Sequence, residues 1–187
     1  MRLFVALEIP SEVRANLAAL LEDLRAISRE PKWVRPENLH VTLKFLGEVA
    51  EAQVDAVQAA LRGVRSEQSV ALEFRGVGFF PNAKHPRVFW AGIEASANLR
   101  KLAADMEGLM EKCGFPREQR EFSPHLTLAR FERPGLPERL RGAIAENAQR
   151  DFGTLRTNEF HLIQSKLKPA GAEYTTLASF SFAPGPA

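Results

Sequence analysis

The sequence predicts an α+β protein assembled from two similar halves around a pseudo-twofold axis. Strand-like and helix-like segments alternate along the chain, and residues 1–46 match residues 86–131 at a constant offset of 85 without gaps. Fourteen positions of this alignment are identical, whereas chance pairing at average residue usage would give about three or four. We therefore expect one bilobal domain over residues 1–187, with an internal repeat of residues 1–85 and 86–187.

Each repeat is predicted to begin with a strand and a helix. Residues 3–9 and 88–93 are rich in aromatic and β-branched side chains, which is typical of strands. In the first repeat, apolar residues recur at helical spacing after Pro10. In the second, Ser96 is a candidate N-cap, and Gly114 is expected to follow the end of the helix.

A second strand in each repeat carries a histidine, over residues 39–46 and 125–131. A helix is expected after each of them, over residues 51–64 and 137–149. Further strands are predicted near residues 70–80, 158–168 and 174–182, and the last five residues, 183–187, are expected to fray. The seam between the halves is expected near residues 81–86, although duplicated chains can exchange strands.

Composition favours a cytoplasmic protein that lacks a large nucleic-acid footprint. Lys and Arg outnumber Asp and Glu by only 25 to 23, which leaves room for a local pocket that binds one or two phosphates. Cys113, the one cysteine, cannot form an internal disulfide. Glu8 and Pro10 interrupt the N-terminal apolar run, and no apolar stretch is long enough to span a membrane.

The repeated His-x-Thr carries the candidate chemistry. Residues two apart on a strand share a face, so His40 points the same way as Thr42, and His125 the same way as Thr127. A pseudo-twofold axis would bring the two pairs to one cleft. One neutral histidine would accept a proton from water and the other, protonated, would donate to a ribose oxygen. The hydroxyls would hydrogen-bond the non-bridging phosphate oxygens.

The residues around these motifs do not predict a metal or a cofactor. The sequence contains no His-Glu-x-x-His, Asp-x-Asp or clustered carboxylates there, which argues against a metallophosphoesterase. Residues 76–78 lack the third glycine and helix start of a dinucleotide-binding motif and are predicted to be strand and turn. His85 and His161 are predicted to be structural, and Cys113 a small buried apolar residue.

The chain resembles the 2H phosphoesterase superfamily, and within it the RNA 2′,3′-cyclic phosphodiesterases once called 2′-5′ RNA ligases. The resemblance runs through residues 2–6, 38–48, 87–90 and 124–130. It implies a duplicated bilobal fold of two mainly antiparallel sheets with outer helices and a central cleft. It also implies that the substrate is an RNA 3′ end bearing a 2′,3′-cyclic phosphate, or a small cyclic nucleotide, which the enzyme would open to a 2′-phosphomonoester. The near-balanced charge and the local pocket favour a monomer in the cytoplasm, and the two-histidine chemistry requires no metal or other cofactor.

The same resemblance implies roles for individual residues. It makes His40 the proton donor and His125 the proton acceptor, roles that strand geometry alone does not assign. Arg130 would clamp the phosphate and Phe45 would contact the nucleoside. By strict alternation both would point to the core with their neighbouring leucines, so either the strands bulge or end there, or these side chains belong to the core and rim.

The sequence is compatible with two other functions. The same chemistry would serve another ribose cyclic phosphate, such as ADP-ribose 1″,2″-cyclic phosphate, a 2′-5′ linkage, or ligation in reverse. A binding module that holds RNA ends without turnover is disfavoured, because His40 and His125 are both present.

Overall fold

Two antiparallel sheets with helices packed against them form the protein, whose computed structural model describes residues 1–185. The helices are α1 (Ser11–Ile27), α2 (Val54–Leu61), α3 (Ala97–Lys112) and α4 (Glu138–Glu146). The strands are β1 (Arg2–Glu8), β2 (Lys32–Trp33), β3 (His40–Glu48), β4 (Val70–Phe80), β5 (Val88–Ala95), β6 (His125–Arg130), β7 (Asp151–Thr157), β8 (Glu159–Lys168) and β9 (Gly171–Ser181). The sheet orders are β3-β1-β8-β9 and β2-β6-β5-β4-β7. The predicted α+β class with two antiparallel sheets is confirmed.

The first helix of each repeat begins where the sequence predicts. Pro10 and Ser96 are the N-cap residues, and Gly114, with φ of 92°, follows the end of α3 in a left-handed conformation. The Ser96 hydroxyl does not cap the helix. It donates to Asn98 Oδ1 at 2.6 Å and accepts from the Ala71 backbone N–H at 3.0 Å, which ties the start of α3 to β4.

Several element boundaries differ from the prediction. A 3₁₀ turn, Glu51–Gln53, precedes α2, and both α2 and α4 end about one turn early. The sequence pattern does not predict β2, which has two residues, or β7, an edge strand whose apolar pattern is interrupted at Gly153. The expectation of fraying is wrong at Ala183, whose carbonyl accepts from Asn158 Nδ2 at 3.1 Å. Pro186 and Ala187 lie outside the described residues.

The two sheets exchange strands between the sequence repeats. β4 ends the first repeat and pairs with β5 of the second, whereas β8 of the second repeat pairs with β1 of the first. Each sheet therefore contains strands from both repeats, and neither sheet coincides with residues 1–85 or 86–187.

The gapless alignment of the repeats is out of register by one residue over their first strands. Thr42 lies opposite Ala6 on β1, but Thr127 lies opposite Trp90 on β5 rather than opposite Ala91. A slip of one residue turns a side chain to the other face of a sheet. The identity between Ala6 and Ala91 therefore joins positions on opposite faces, and the structural equivalent of Ala6 is Trp90.

One hydrophobic core lies between the sheets and the helices, and a smaller cluster lies on the other face of the four-stranded sheet. Leu3, Val5 and Leu7 of β1 belong to the core. The alternate residues of this strand, Phe4 and Ala6, form the smaller cluster with Ile163 and Tyr174. We use the name cleft face for the face of each sheet that carries a His-x-Thr motif: this second face in the four-stranded sheet, and the face of His125 and Thr127 in the five-stranded sheet. No helix among residues 1–185 is long and apolar enough to cross a membrane.

Candidate active site

Both His-x-Thr motifs begin a strand and display their polar side chains on the cleft face. His40 and Thr42 lie on β3, His125 and Thr127 lie on β6, and all four residues are half-buried. The apolar residues between them are fully buried in the core. β3 and β6 belong to different sheets and contact each other. The structure thus brings the two motif strands together at the junction of the sheets.

The two imidazoles are held in the same way. Nδ1 of His40 lies 3.1 Å from the Asn38 carbonyl oxygen, and Nδ1 of His125 lies 2.8 Å from the Ser123 carbonyl oxygen. In each case the partner is two residues before the histidine. Because a carbonyl oxygen only accepts, the bond forms when Nδ1 carries the hydrogen, and the neutral ring then has its lone pair on Nε2. Nε2 is therefore the nitrogen available for proton transfer in both motifs.

Three further polar groups of the motifs are available to a ligand. Within residues 1–185, neither the Thr42 nor the Thr127 hydroxyl makes a hydrogen bond to another protein group. Arg130 is exposed, and no carboxylate in that part of the chain pairs with it. Two hydroxyl donors and one guanidinium are suited to phosphate oxygens.

Equivalent bulges place Phe45 and Arg130 on the cleft face. On β1, Ala6 lies opposite Thr42 and Val5 lies opposite Lys44, so Leu43 is an extra residue. The ladder then continues with Phe45 opposite Phe4, which belongs to the cleft-face cluster. The extra residue reverses the alternation that would otherwise direct Phe45 into the core.

The second motif strand repeats this irregularity at the matching position. Trp90 lies opposite Thr127 and Phe89 lies opposite Ala129, so Leu128 is the extra residue. Arg130 then pairs with Val88, two residues from Trp90 and on the same face. Of the alternatives left open by the sequence, the structure selects the bulge.

Aromatic rings and charges set the environment of His40. Phe4 and Tyr174 meet its ring edge-on, with centroids 6.2 and 5.7 Å away. Burial lowers the pKa of His40, and the positive charge of Arg14 lowers it further. The hydrogen bond to the Asn38 carbonyl and the negative charge of Glu8 oppose that shift. The net direction is a pKa below the usual histidine value.

Glu8 and His161 extend this charged environment along the four-stranded sheet. Glu8 lies directly opposite His40 on β1, and its Oε2 is 3.9 Å from Nε2 of His161 on β8. The other ring nitrogen of His161 lies 2.8 Å from the Ser179 hydroxyl. His161 therefore makes structural contacts at both nitrogens, and in its protonated form it also lowers the pKa of His40.

His125 has an aromatic neighbour from β4, which in turn packs on a ring from β5. The Phe80 ring meets it edge-on at a centroid distance of 5.2 Å, and Phe80 also packs on Trp90 at 5.5 Å. Sequence reasoning does not identify Phe80 or Tyr174 as part of the site. Both come from strands distant in sequence, so only the register of the sheets brings them to the histidines.

Other side chains outside the motifs lie in structural positions or on the surface. The Arg35 guanidinium donates to the Ala170 carbonyl, which fastens the chain before β3 to the turn between β8 and β9. His85 is exposed in the loop after β4, and Cys113 packs against the core. Residues 76–78 lie within β4, as predicted, with an irregularity at Gly76.

Two cavities on the surface lie away from the motif side chains, and the described residues form no metal-binding cluster. Hollows of about 310 and 380 Å³ lie beside Phe131 and beside Pro124, and no motif histidine or threonine lines either of them. No group of three or more His, Cys, Asp or Glu side chains within residues 1–185 is arranged to hold a metal ion.

Comparison with known proteins identifies the family. The family model described as LigT-like phosphoesterase matches residues 7–90 and 93–174. The chain is 37% identical to the RNA 2′,3′-cyclic phosphodiesterase of Archaeoglobus fulgidus over 96% of this chain and 99% of the relative. It is 39% identical to the Thermus thermophilus protein of the same name, over 97% and 90%.

Solved structures agree with this match. The crystal structure of TT0787 from Thermus thermophilus superposes with a TM-score of 0.77 at 35% identity, covering 97% of this chain and 98% of the other. LigT of E. coli, in a complex with 3′-AMP, gives a TM-score of 0.75 at 26% identity and covers 97% of both chains. The resemblance expected from the motifs is confirmed, and the chain belongs to the LigT-like phosphoesterase family.

Proposed function

We propose that this protein is an RNA 2′,3′-cyclic phosphodiesterase that hydrolyses a terminal 2′,3′-cyclic phosphate to a 2′-phosphomonoester. The observation that carries the proposal is the pair of equivalent imidazoles on contacting strands, each fixed through Nδ1 and each next to a threonine hydroxyl that makes no hydrogen bond to another group of residues 1–185. The names of the relatives, which cover most of the chain, support the same reaction. We further propose that it acts as a cytoplasmic monomer on RNA 3′ ends.

The reaction assigns one proton transfer to each histidine. His125 Nε2 accepts a proton from water as the water oxygen attacks phosphorus, and His40 donates its Nε2 proton to the ribose 3′ oxygen as the P–O3′ bond breaks. The product carries the phosphate on the 2′ oxygen. After the reaction, His125 carries one proton more than at the start and His40 carries one fewer. Proton exchange with solvent restores both starting states.

The remaining polar groups stabilise charge on the phosphoryl group. The Thr42 and Thr127 hydroxyls donate to the non-bridging oxygens, and Arg130 neutralises part of their charge. Phe45, on the same wall as His40, contacts the nucleoside whose oxygen leaves. These groups and the two imidazoles account for the chemistry through this chain's own residues.

The lowered pKa of His40 affects the donor role in a defined way. Burial makes the free imidazole lose its proton at lower pH than an ordinary histidine. A bound cyclic phosphate brings a negative charge beside the ring and favours the protonated form again. The alkaline limb of the pH profile should therefore lie at lower pH for kcat/KM, which reports the free enzyme, than for kcat.

Alanine variants of the histidines test the proposal. An oligoribonucleotide ending in a 2′,3′-cyclic phosphate is the substrate, and product is separated as 2′- or 3′-phosphate. His40→Ala and His125→Ala should each lower kcat by about 10²- to 10⁴-fold, because general acid/base groups contribute on that scale. Arg141→Ala, at an exposed position of α4, is the control and should stay within about twofold of the wild type.

Several outcomes would overturn the proposal. Full activity of His40→Ala, or a 3′-phosphate product, contradicts the assigned chemistry. Faster turnover of ADP-ribose 1″,2″-cyclic phosphate or of a 2′-5′ linkage than of the RNA end contradicts the assigned substrate.

A further inference from the structure

Two exposed phenylalanines flank the motif histidines, one on each wall of the cleft. Phe45 is 66% exposed and packs on Phe4 beside His40. Phe80 is 38% exposed and packs against His125. Unpaired nucleobases stack on aromatic rings of this kind regardless of their identity. Phe45 already has a role at the nucleoside in the proposed function, whereas Phe80 has none.

The Phe80 ring packs on the indole of Trp90, which is itself closely packed. Its centroid lies 5.5 Å from that of Trp90, at an interplanar angle of 42°. Trp90 lies against Gly78, where an added Cβ would come within 2.4 Å of the indole carbons. Trp90 Nε1 has no hydrogen-bond partner within residues 1–185, so shape rather than hydrogen bonding holds the indole there. A ring fixed in this way loses little further freedom when a base stacks on it.

The loop that follows Phe80 carries positive charge. Residues 81–87 contain Lys84 and Arg87 and no Asp or Glu. Within residues 1–185 neither cation pairs with a carboxylate. Asn82 Oδ1 accepts hydrogen bonds from the backbone N–H groups of Lys84 and His85, both at 3.0 Å, and so fixes the turn of the loop. The charge of this loop is complementary to a nucleic-acid backbone.

We propose that Phe80 is the stacking platform for the base of the penultimate nucleotide, and that the loop 81–87 lies beside the phosphate that joins this nucleotide to the terminal one. This inference rests on the proposed function. His40 donates to the ribose oxygen, so the terminal nucleoside lies on the wall of His40 and Phe45, and the wall of His125 is left for the preceding base. A single-stranded end can splay neighbouring bases in this way. The enzyme then prefers RNA ends to cyclic mononucleotides.

Removal of single bases from the substrate tests the assignment. The substrates are a diribonucleotide with a terminal 2′,3′-cyclic phosphate, its analogue with an abasic penultimate residue, and the cyclic mononucleotide. In the wild type, loss of the penultimate base should lower kcat/KM by about 5- to 100-fold, the scale of one stacked base. In Phe80→Ala the same loss should change kcat/KM less than about twofold, because the two groups interact only with each other.

Variants at the same and the opposite wall serve as controls. Phe80→Trp should keep the dependence on the penultimate base and Phe80→Leu should lose it, since bulk without a flat ring does not stack. Phe45→Ala should keep that dependence, because Phe45 lies on the other wall. Thermal unfolding of each variant establishes that it is folded.

The possible failures are distinguishable. If the penultimate base matters equally in the wild type and Phe80→Ala, or if Phe80→Ala slows the cyclic mononucleotide as much as the dinucleotide, the platform is refuted while the phosphodiesterase stands. If the wild type hydrolyses none of the three substrates, the proposed function itself is overturned and this inference with it.

Salt dependence tests the loop separately. In Lys84→Ala/Arg87→Ala, the slope of log kcat/KM against log salt for the dinucleotide should become shallower by about 0.7 for each phosphate that the variant no longer neutralises. The matched control is Arg139→Ala/Arg141→Ala, which removes two exposed arginines from α4 and should leave the slope unchanged. An unchanged slope in the loop variant, or an equal change in both, refutes the proposed role of the loop.

Discussion

The buried ion pair between Lys44 and Glu107 yields a quantitative prediction of stability. Lys44 Nζ lies 2.8 Å from Glu107 Oε2 and 2.7 Å from the Pro116 carbonyl oxygen, and the side chains are 5% and 17% exposed. Glu107→Ala leaves a buried ammonium with the carbonyl alone. Because one partner remains, we expect the lower end of the range for a broken buried pair, a loss of about 3 kcal/mol in the free energy of unfolding.

Lys44→Met should cost less, about 1 kcal/mol, because it removes the more deeply buried of the two charges and fills similar volume. The Glu107 carboxylate that remains still accepts from the Glu118 backbone N–H. Urea unfolding measures these free energies. In thermal unfolding, the Tm of Glu107→Ala should be about 6–12 °C below that of the wild type. Asp105→Ala, which breaks the exposed pair with Lys101 on the same helix, should cost under about 0.5 kcal/mol.

The result that would refute this reasoning is a loss for Glu107→Ala no greater than that for Asp105→Ala. A larger loss for Lys44→Met than for Glu107→Ala would also refute it, since it would mean that the charge stabilises the fold by itself.

Two further predictions concern the cleft. Glu8→Gln removes a negative charge that raises the pKa of His40, so the alkaline limb of the pH profile of kcat/KM should move to lower pH. Arg14→Gln removes a positive charge that lowers this pKa, so the same limb should move to higher pH. If the acid limb moves instead, His40 is the proton acceptor. Gly78→Ala should displace Trp90 and cost about 1–3 kcal/mol, measured by urea unfolding, and a stability equal to the wild type would show that the contact relaxes without cost.

The fold class and the placement of the motifs follow from local sequence patterns. Side chains alternate along a strand with a period of two residues, and this alone predicts that His40 and Thr42 share a face. The helical spacing of α1 and α3 is equally local, and both helices appear near the predicted bounds. Such predictions succeed because the signal lies within the element itself.

Features that depend on strand register could not be predicted in this way. Whether Phe45 and Arg130 face the cleft depends on one extra residue in each strand, and neither Leu43 nor Leu128 carries a sequence signal for a bulge. Phe80 reaches His125 only because β4 of the first repeat pairs with β5 of the second. The offset of 85 residues also aligns β5 with β1 one residue out of register. Identical residues such as Ala6 and Ala91 can lie on opposite faces of their sheets, so sequence identity alone does not reveal the register.

The exchange of β4 and β8 has a consequence for how such a protein arises and folds. The first repeat ends in β4, whose partners β5 and β7 both belong to the second repeat, so the first repeat alone would leave that strand's backbone donors and acceptors unsatisfied. Two separate copies would satisfy these groups by swapping strands, as domain-swapped dimers do. Joining the copies in one chain makes this association intramolecular, so it no longer depends on protein concentration.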